Sequence, residues 1–167
     1  ISLGLVGSEM CIRDSYSTHA FTDYGKQFIE ERDKAKPFFM YMAYNAPHYP
    51  LHAPKEEVLK YQGKYMDGWQ KVRDDRFVRL KELGIIDADA EFSNSEKIIG
   101  GWDQLSEAEK IDMDLRMATY AAMIDIVDQQ VGRLVETLKD QSIYEDTLII
   151  FLSDNGACPF DRTRKPT

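Results

Sequence analysis

The fold class is decided by two stretches, Phe38-Phe39-Met40-Tyr41-Met42-Ala43-Tyr44 and Leu148-Ile149-Ile150-Phe151-Leu152, each an unbroken run of apolar and aromatic residues. A strand that is buried on both faces of a parallel sheet shows such a run, whereas a strand with one exposed face alternates between apolar and polar residues. Helical patterns separate the two stretches in the sequence. The order of strand, helices and strand therefore predicts an α/β fold.

Four helices are predicted from apolar periodicity, caps and breakers, at residues 18–34, 55–61, 67–83 and 106–141. The last helix opens with Ser-Glu-Ala-Glu at residues 106–109, the sequence of a capping box. An apolar stripe follows along it, made of Tyr120, Ile124, Val127, Val131, Leu134 and Leu138. We expect this stripe to pack on the sheet, and Gly132 to mark a close approach between the helix backbone and a strand. Periodicity disappears between residues 85 and 102, which predicts a surface loop.

Composition sets the class of protein and disfavours some partners. A chain of 167 residues with 43% hydrophobic and 30% charged residues can form one domain with a real core. The net charge of -8 disfavours nucleic acid and anionic membranes as partners, because either needs clustered Lys and Arg. No apolar run approaches the roughly 18 residues of a membrane span. Two cysteines allow at most one disulfide and do not indicate a compartment.

Polar residues follow the second predicted strand directly, at Ser153-Asp154-Asn155-Gly156. Asp154 and Asn155 offer a carboxylate and an amide oxygen side by side, and calcium and magnesium take such oxygen ligands. Gly156 allows the chain to turn sharply there. The alternative is an ordinary turn, since Asp-Asn-Gly is also a common turn sequence.

The first predicted strand runs into a loop with three prolines, at residues 45–54. Its His48 can hydrogen-bond an anionic group or donate a proton to a leaving oxygen, or it can simply cap a backbone carbonyl. His52 is expected near the same site, where it would support the site residues or lie on the surface. His19 is interpreted as structural. Ligands bind at the carboxyl ends of strands in open α/β sheets, so we expect His48 and Asp154 to converge on one pocket.

The two ends of the sequence are interpreted differently from the rest. Residues 5–14 match a translated sequencing-library adapter, so residues 1–15 are expected to be non-native, and the alternative is a native strand and turn. Cys11 is then no candidate nucleophile. Cys158 is discounted because nothing in its neighbourhood clearly lowers a thiol pKa. Residues 157–167 show no secondary-structure period, and their basic cluster is interpreted as a solvated tail.

Several short motifs together resemble the type I sulfatase family, particularly its bacterial arylsulfatase branch. The resemblance covers residues 16–164 and rests on Ala46-Pro47-His48 with Pro50, Ala53-Pro54, Leu80-Lys81-Glu82-Leu83-Gly84, Leu105-Ser106, Tyr120-Ala121-Ala122-Met123 and Ser153-Asp154-Asn155-Gly156. It implies an alkaline-phosphatase-like α/β sandwich, of which residues 16–167 would be part of the catalytic domain. It also implies hydrolysis of a small-molecule or carbohydrate sulfate ester.

The resemblance assigns roles to the residues of the two loops. In this family a formylglycine made from Cys or Ser is hydrated to a gem-diol that attacks sulfur, and calcium holds the sulfate oxygens. Asp154 and Asn155 would be two of the calcium ligands. His48 would contact the sulfate ester and assist departure of the leaving group. Family members are often periplasmic or secreted, although the sequence itself does not indicate the compartment.

The sequence departs from the family pattern at the nucleophile. It contains no C-x-P-S-R or S-x-P-S-R signature, and the paired aspartates that open the family's calcium site are absent. The 167 residues are therefore expected to be inactive by themselves. One alternative is a phosphodiesterase or phosphonate-ester hydrolase of the same superfamily, although such sites tend to have His where Asn155 stands. The other alternative is a non-catalytic chain.

Overall fold

The computed structural model describes residues 15–92 and 101–156. Within these ranges the chain forms α1 (Ser17–Glu31), α2 (Lys55–Leu59), α3 (Trp69–Glu82) and α4 (Glu107–Asp140), with a short 3₁₀ helix at Trp102–Gln104. All four predicted helices are confirmed, with ends that differ by at most three residues. The interpretations of residues 1–14, of Cys158 and of the basic cluster near the end of the chain fall outside the described residues.

Helix α4 is the scaffold on which α1 and α2 pack. Its 34 residues span about 50 Å, and it begins with the predicted capping box: Ser106 Oγ accepts from the Glu109 amide while the Glu109 carboxylate accepts from the Ser106 amide. Helix α1 lies along its second half in the same direction, because Asp23 pairs with Arg133 and Arg32 donates to Gln141. Helix α2 lies beside α4 in the opposite direction.

The core lies along α4, and it includes Val127 and Leu138 of the predicted stripe. Its fully enclosed apolar side chains include Ile29 of α1 and Ala118, Ala122 and Ile126 of α4, whereas Ile124 of the predicted stripe is 45% exposed. Among residues 15–92 and 101–156, α4 packs on α1 and α2 rather than on a sheet. A stripe shows that a helix has an apolar face, but the same face can pack on a helix or on a sheet.

The close helix approach occurs at Gly25 of α1, not at Gly132. A Cβ built on Gly25 would lie 3.0 Å from Met42 Sδ and 3.2 Å from Leu134 Cδ2, so the absence of a side chain allows both to pack on the helix. A Cβ on Gly132 would meet nothing within 4 Å. The prediction of a close backbone approach at Gly132 is therefore wrong.

The two predicted buried strands are not strands in the part of the chain that the structure describes. Residues 38–44 and 148–152 have no assigned secondary structure, and Phe39 and Leu148 are 93% and 85% exposed. Strand formation needs hydrogen bonds from a neighbouring strand, and no such neighbour lies among residues 15–92 and 101–156. The helical structure therefore does not confirm the predicted α/β sandwich.

The stretch 38–44 nevertheless has one docked face. Met40, Met42 and Tyr44 are partly buried, while the residues between them are exposed, which is the two-residue alternation of a strand. Met42 packs near Gly25, and the Tyr44 hydroxyl forms a 2.8 Å hydrogen bond with Thr22 Oγ1. The helices thus fix the position at which residues 45–54 begin.

Substitution of the two helical glycines should have opposite effects on stability. Gly25→Val should lower the free energy of unfolding by about 1–3 kcal/mol, because its side chain overlaps Met42 and Leu134. Gly132→Ala, the matched control, should raise it by roughly 0.5–1 kcal/mol, because alanine favours the helix and meets no neighbour. Urea denaturation followed by circular dichroism measures both. A Gly25→Val protein as stable as the parent would contradict this packing.

Alkaline pH should destabilise the fold in part through Tyr44. Burial raises the pKa of Tyr44, against smaller opposing effects of the Thr22 hydrogen bond and the Arg133 charge. The unfolded state, with a tyrosine pKa of about 10, therefore loses its proton first, and the stabilisation is lost as pH rises above that value. Tyr44→Phe should reduce the loss of stability between about pH 8 and pH 11. An unchanged difference between those two pH values would contradict the assignment.

Candidate active-site loops

The loop that carries His48 is held by its own backbone. The His48 amide donates to the Asn45 carbonyl at 2.9 Å, and cis peptide bonds precede Pro47 and Pro50. The imidazole is exposed, and its Nδ1 lies 2.5 Å from the Tyr49 carbonyl oxygen. Because a carbonyl only accepts, Nδ1 must carry the proton in this contact, which makes Nε2 the nitrogen that can meet a ligand.

Tyr16, at the start of α1, anchors the far end of the same loop. Its hydroxyl donates to the His52 carbonyl at 3.0 Å, and its ring lies 6.1 Å from the His52 ring and 5.3 Å from the His19 ring. Burial raises the pKa of Tyr16, so the phenol stays protonated as a donor at neutral pH. His52 is thus held through its backbone while its side chain is exposed, and its role stays a prediction.

Asp154 and Asn155 lie in an exposed turn after residues 148–152. Ser153 Oγ donates to the Asn155 carbonyl at 2.6 Å, and Asn155 Nδ2 donates to the Gly156 carbonyl at 2.8 Å. The amide nitrogen of Asn155 is therefore turned toward the backbone. Its Oδ1, the atom that a hard cation prefers, is the remaining polar atom of that side chain.

The two side chains fit part of a calcium or magnesium site. Both supply oxygen, and both are open to solvent, but calcium takes six to eight oxygen ligands. Among residues 15–92 and 101–156 no group of three or more His, Cys, Asp or Glu side chains could hold a metal ion. That Asp154 and Asn155 bind a metal ion therefore stays a prediction, and the described residues do not supply the other donors that such a site needs.

The structure does not bring the two loops together through contacts. Within the described part of the chain, no hydrogen bond or ion pair joins residues 45–54 to residues 153–156. The convergence of His48 and Asp154 was predicted from the edge of a parallel sheet, and that sheet is not formed here. Their convergence stays a prediction.

A buried carboxylate and a group of aromatic and basic side chains were missed from the sequence. Asp114 of α4 is 3% exposed and accepts from the Gly63 and Tyr65 amides at 2.7 and 2.9 Å. This contact holds the turn that leads into α3. Beyond it, Trp69 of α3 and Trp102 line a cavity of about 540 Å³ together with arginines from α3 and α4. One signal for the burial of Asp114 was available in the sequence. Asp114 lies four residues before Ala118, on the same face of the helix.

Comparison with known proteins identifies the class to which this helical unit belongs. The sulfatase family model matches residues 6–164. Arylsulfatase of Klebsiella aerogenes is 38% identical over 146 residues, which cover 87% of this chain and 31% of the relative. An uncharacterized sulfatase of Schizosaccharomyces pombe is 34% identical over 87% of this chain and 26% of the relative. Mouse arylsulfatase J is 24% identical over 86% of this chain and 16% of the relative.

The family match extends over most of the sequence, including both loops, and the three relatives all carry names of sulfatases. The chain belongs to the sulfatase family. It spans about a third or less of the length of these curated relatives. Among the described residues, no helix is both long enough and apolar enough to cross a membrane.

Removal of the Tyr16 hydroxyl should loosen the His48 loop. Tyr16→Phe deletes the hydrogen bond to the His52 carbonyl, which should cost about 0.5–1.5 kcal/mol and speed amide exchange at residues 51–53. Tyr24→Phe is the matched control, because Tyr24 lies on the same helix and is 49% exposed. Hydrogen exchange measured by NMR distinguishes the two. Equal exchange in both variants would show that Tyr16 does not anchor the loop.

Proposed function

We propose that this chain is the part of a sulfate ester hydrolase that carries the acid for the leaving group and two oxygen ligands of a calcium site. The observation that carries the proposal is the family match over residues 6–164, together with 38% identity to a protein named arylsulfatase. The exposed loops 45–54 and 153–156 support it, because their side chains have the chemistry that sulfuryl transfer needs.

His48 is proposed to protonate the leaving oxygen of the ester. Hydrolysis of a sulfate ester leaves negative charge on the oxygen of the departing alcohol, and a proton from an imidazole nitrogen neutralises it. The Tyr49 carbonyl accepts from Nδ1–H and orients the ring, so the proton for the leaving oxygen comes from Nε2–H of the doubly protonated imidazolium. Pro47 and Pro50 on either side restrict the backbone, so little freedom is lost when the substrate binds.

Asp154 and Asn155 are proposed to bind calcium through their side-chain oxygens. When bound, the ion would neutralise charge on the sulfuryl oxygens and hold them in place. The Asn155 Nδ2 contact with the Gly156 carbonyl fixes the amide plane, so that Oδ1 is the ligating atom. Asn at this position, rather than His, favours a sulfatase over a phosphodiesterase.

The nucleophile is proposed to be a formylglycine that these residues do not contain. No C-x-P-S-R or S-x-P-S-R sequence occurs among the 167 residues. We therefore expect no sulfate ester hydrolysis from this chain alone, and activity only where the same residues stand in a polypeptide that supplies the nucleophile.

The test uses a complete sulfatase polypeptide that carries these residues. Asp154→Ala and Asn155→Ala should each lower kcat/KM for an aryl sulfate about 100-fold or more, and more calcium should be needed for half-maximal activity. His48→Ala should lower kcat about 100-fold or more with an unchanged calcium requirement.

The controls are Asp89→Ala, a change at an exposed aspartate on another surface, and His52→Ala, which should alter kcat much less than His48→Ala. Unchanged activity and calcium requirement in the Asp154 variant would overturn the metal assignment. Equal losses in the two histidine variants would overturn the role of His48.

A further inference from the structure

The strongest feature that the proposed function does not use is the cavity between α3 and α4. It has a volume of about 540 Å³, within the range of small-molecule sites, and Tyr65, Trp69, Trp102 and Tyr120 supply aromatic walls. Leu51 closes one side. We call it the aromatic cavity.

The aromatic cavity is shaped before any ligand arrives. Gly68 has a φ of 89°, and a Cβ built on it would lie 2.7 Å from the Trp102 ring. Only glycine therefore lets Trp102 rest on the backbone at this point. The Trp69 ring meets Trp102 at 5.1 Å in an edge-to-face contact, and Asp114 fixes the turn before them. Such packing holds both indoles in place.

Positive charge collects at this cavity although the whole chain carries a net charge of -8. Arg73, Arg76 and Arg116 all line it. Arg116 Nε pairs with Asp112 at 2.8 Å, and the Arg73 guanidinium lies 4.0 Å from the Phe92 ring centre. Arg76 lines the cavity from α3 and is exposed, so it is the arginine whose charge a ligand can reach. Aromatic faces beside arginines suit a ring that carries a negative charge.

The aromatic cavity lies next to the His48 loop. Leu51 follows His48 by three residues, so their Cα atoms are at most about 11 Å apart. A ring attached to a sulfate oxygen near His48 could reach the side of the aromatic cavity that Leu51 lines. The cavity is thus placed for the organic part of a sulfate ester rather than for the sulfate itself.

We infer that the aromatic cavity binds the leaving-group ring of a sulfate ester whose ring carries a second negative charge, such as a carboxylate. The inference rests on the proposed function for the identity of the ester, but the binding of an anionic ring does not depend on hydrolysis. Trp69 and Trp102 stack on the ring, and Arg76 binds its charged group. An aromatic acid and a sugar acid both present a ring with a carboxylate, and the test distinguishes them.

The intact 167-residue chain allows a direct test, because its two tryptophans both line the aromatic cavity. Tryptophan fluorescence is titrated with benzoate and benzyl alcohol as the aromatic pair, and with glucuronate and glucose as the sugar pair, at constant ionic strength. The anionic member of at least one pair should give a saturable response, with Kd at least about tenfold lower than its neutral partner.

Arg76→Gln should raise that Kd about tenfold, because it removes a charge-assisted contact. Arg79→Gln is the matched control, since Arg79 is an exposed arginine on the same helix, paired with Glu82 and outside the cavity lining. Both sites are exposed, so both variants should keep the parent's circular dichroism spectrum. Trp69→Phe, with Trp102 as the remaining reporter, provides a second cavity variant and should also weaken binding.

Response to benzoate alone assigns an aromatic acid, and response to glucuronate alone assigns a sugar acid. The inference is overturned if neither anion gives a saturable response, if neutral and anionic rings bind equally, or if the Arg76 and Arg79 variants bind alike. None of the probes contains an ester. Failure of sulfate ester hydrolysis would therefore refute the proposed function while leaving this result intact.

Discussion

The arrangement of the helices depends on the buried carboxylate of Asp114. A charged group with 3% exposure is costly unless hydrogen bonds replace its water, and the Gly63 and Tyr65 amides do so. Both donors belong to the turn between α2 and α3. Burial of Asp114 therefore requires this turn to close against α4, and the turn leads directly into α3. A single side chain in the first third of α4 thus ties three helices together.

The second half of α4 likewise fixes the position of the loop that carries His48. Helix α1 packs there through Gly25. Its Gly25 and Thr22 contact Met42 and Tyr44 of residues 38–44. The chain then enters residues 45–54 from a fixed point, and Tyr16 fixes the loop again at His52. Both attachments come from α1. The position of the imidazole is therefore a consequence of helix packing, although the residue itself lies in an exposed loop.

Local signals predicted the helices well and the sheet poorly. The capping box at Ser106 and the left-handed Gly84, whose amide donates to Lys81 while that of Ile85 donates to Leu80, depend on neighbours within six residues. Strand pairing depends on residues far away, so the apolar run at 148–152 could not reveal whether a partner strand lies beside it. The role of Gly132 was misjudged for a similar reason. Periodicity shows that a helix has an apolar face but does not predict which element packs against that face.

For the candidate site, residue type and loop position were predictable, and geometry was not. His48, Asp154 and Asn155 lie in exposed loops as their prolines and glycine indicated. The roles of Asp114 and Trp102 were hard to predict from the sequence, since a carboxylate in a helix usually faces water and an indole usually packs in a core. Their roles follow from contacts in the folded chain. The Gly63 and Tyr65 amides donate to Asp114, and Gly68 lies against the Trp102 ring. Sulfatase relatives identify the family, but the contacts of these side chains come from the fold.

The alternation along residues 38–44 has a consequence for how the molecule behaves in solution. One face is docked on α1, so Phe39 and Tyr41 must point outward together, at 93% and 80% exposure. Residues 148–152 likewise present Leu148, Ile150 and Phe151 to solvent. Apolar, strand-like stretches of this kind are templates for intermolecular β-pairing. The chain is therefore prone to self-association at high concentration, and a charged residue at Phe39 would improve its solubility without disturbing the helices beneath.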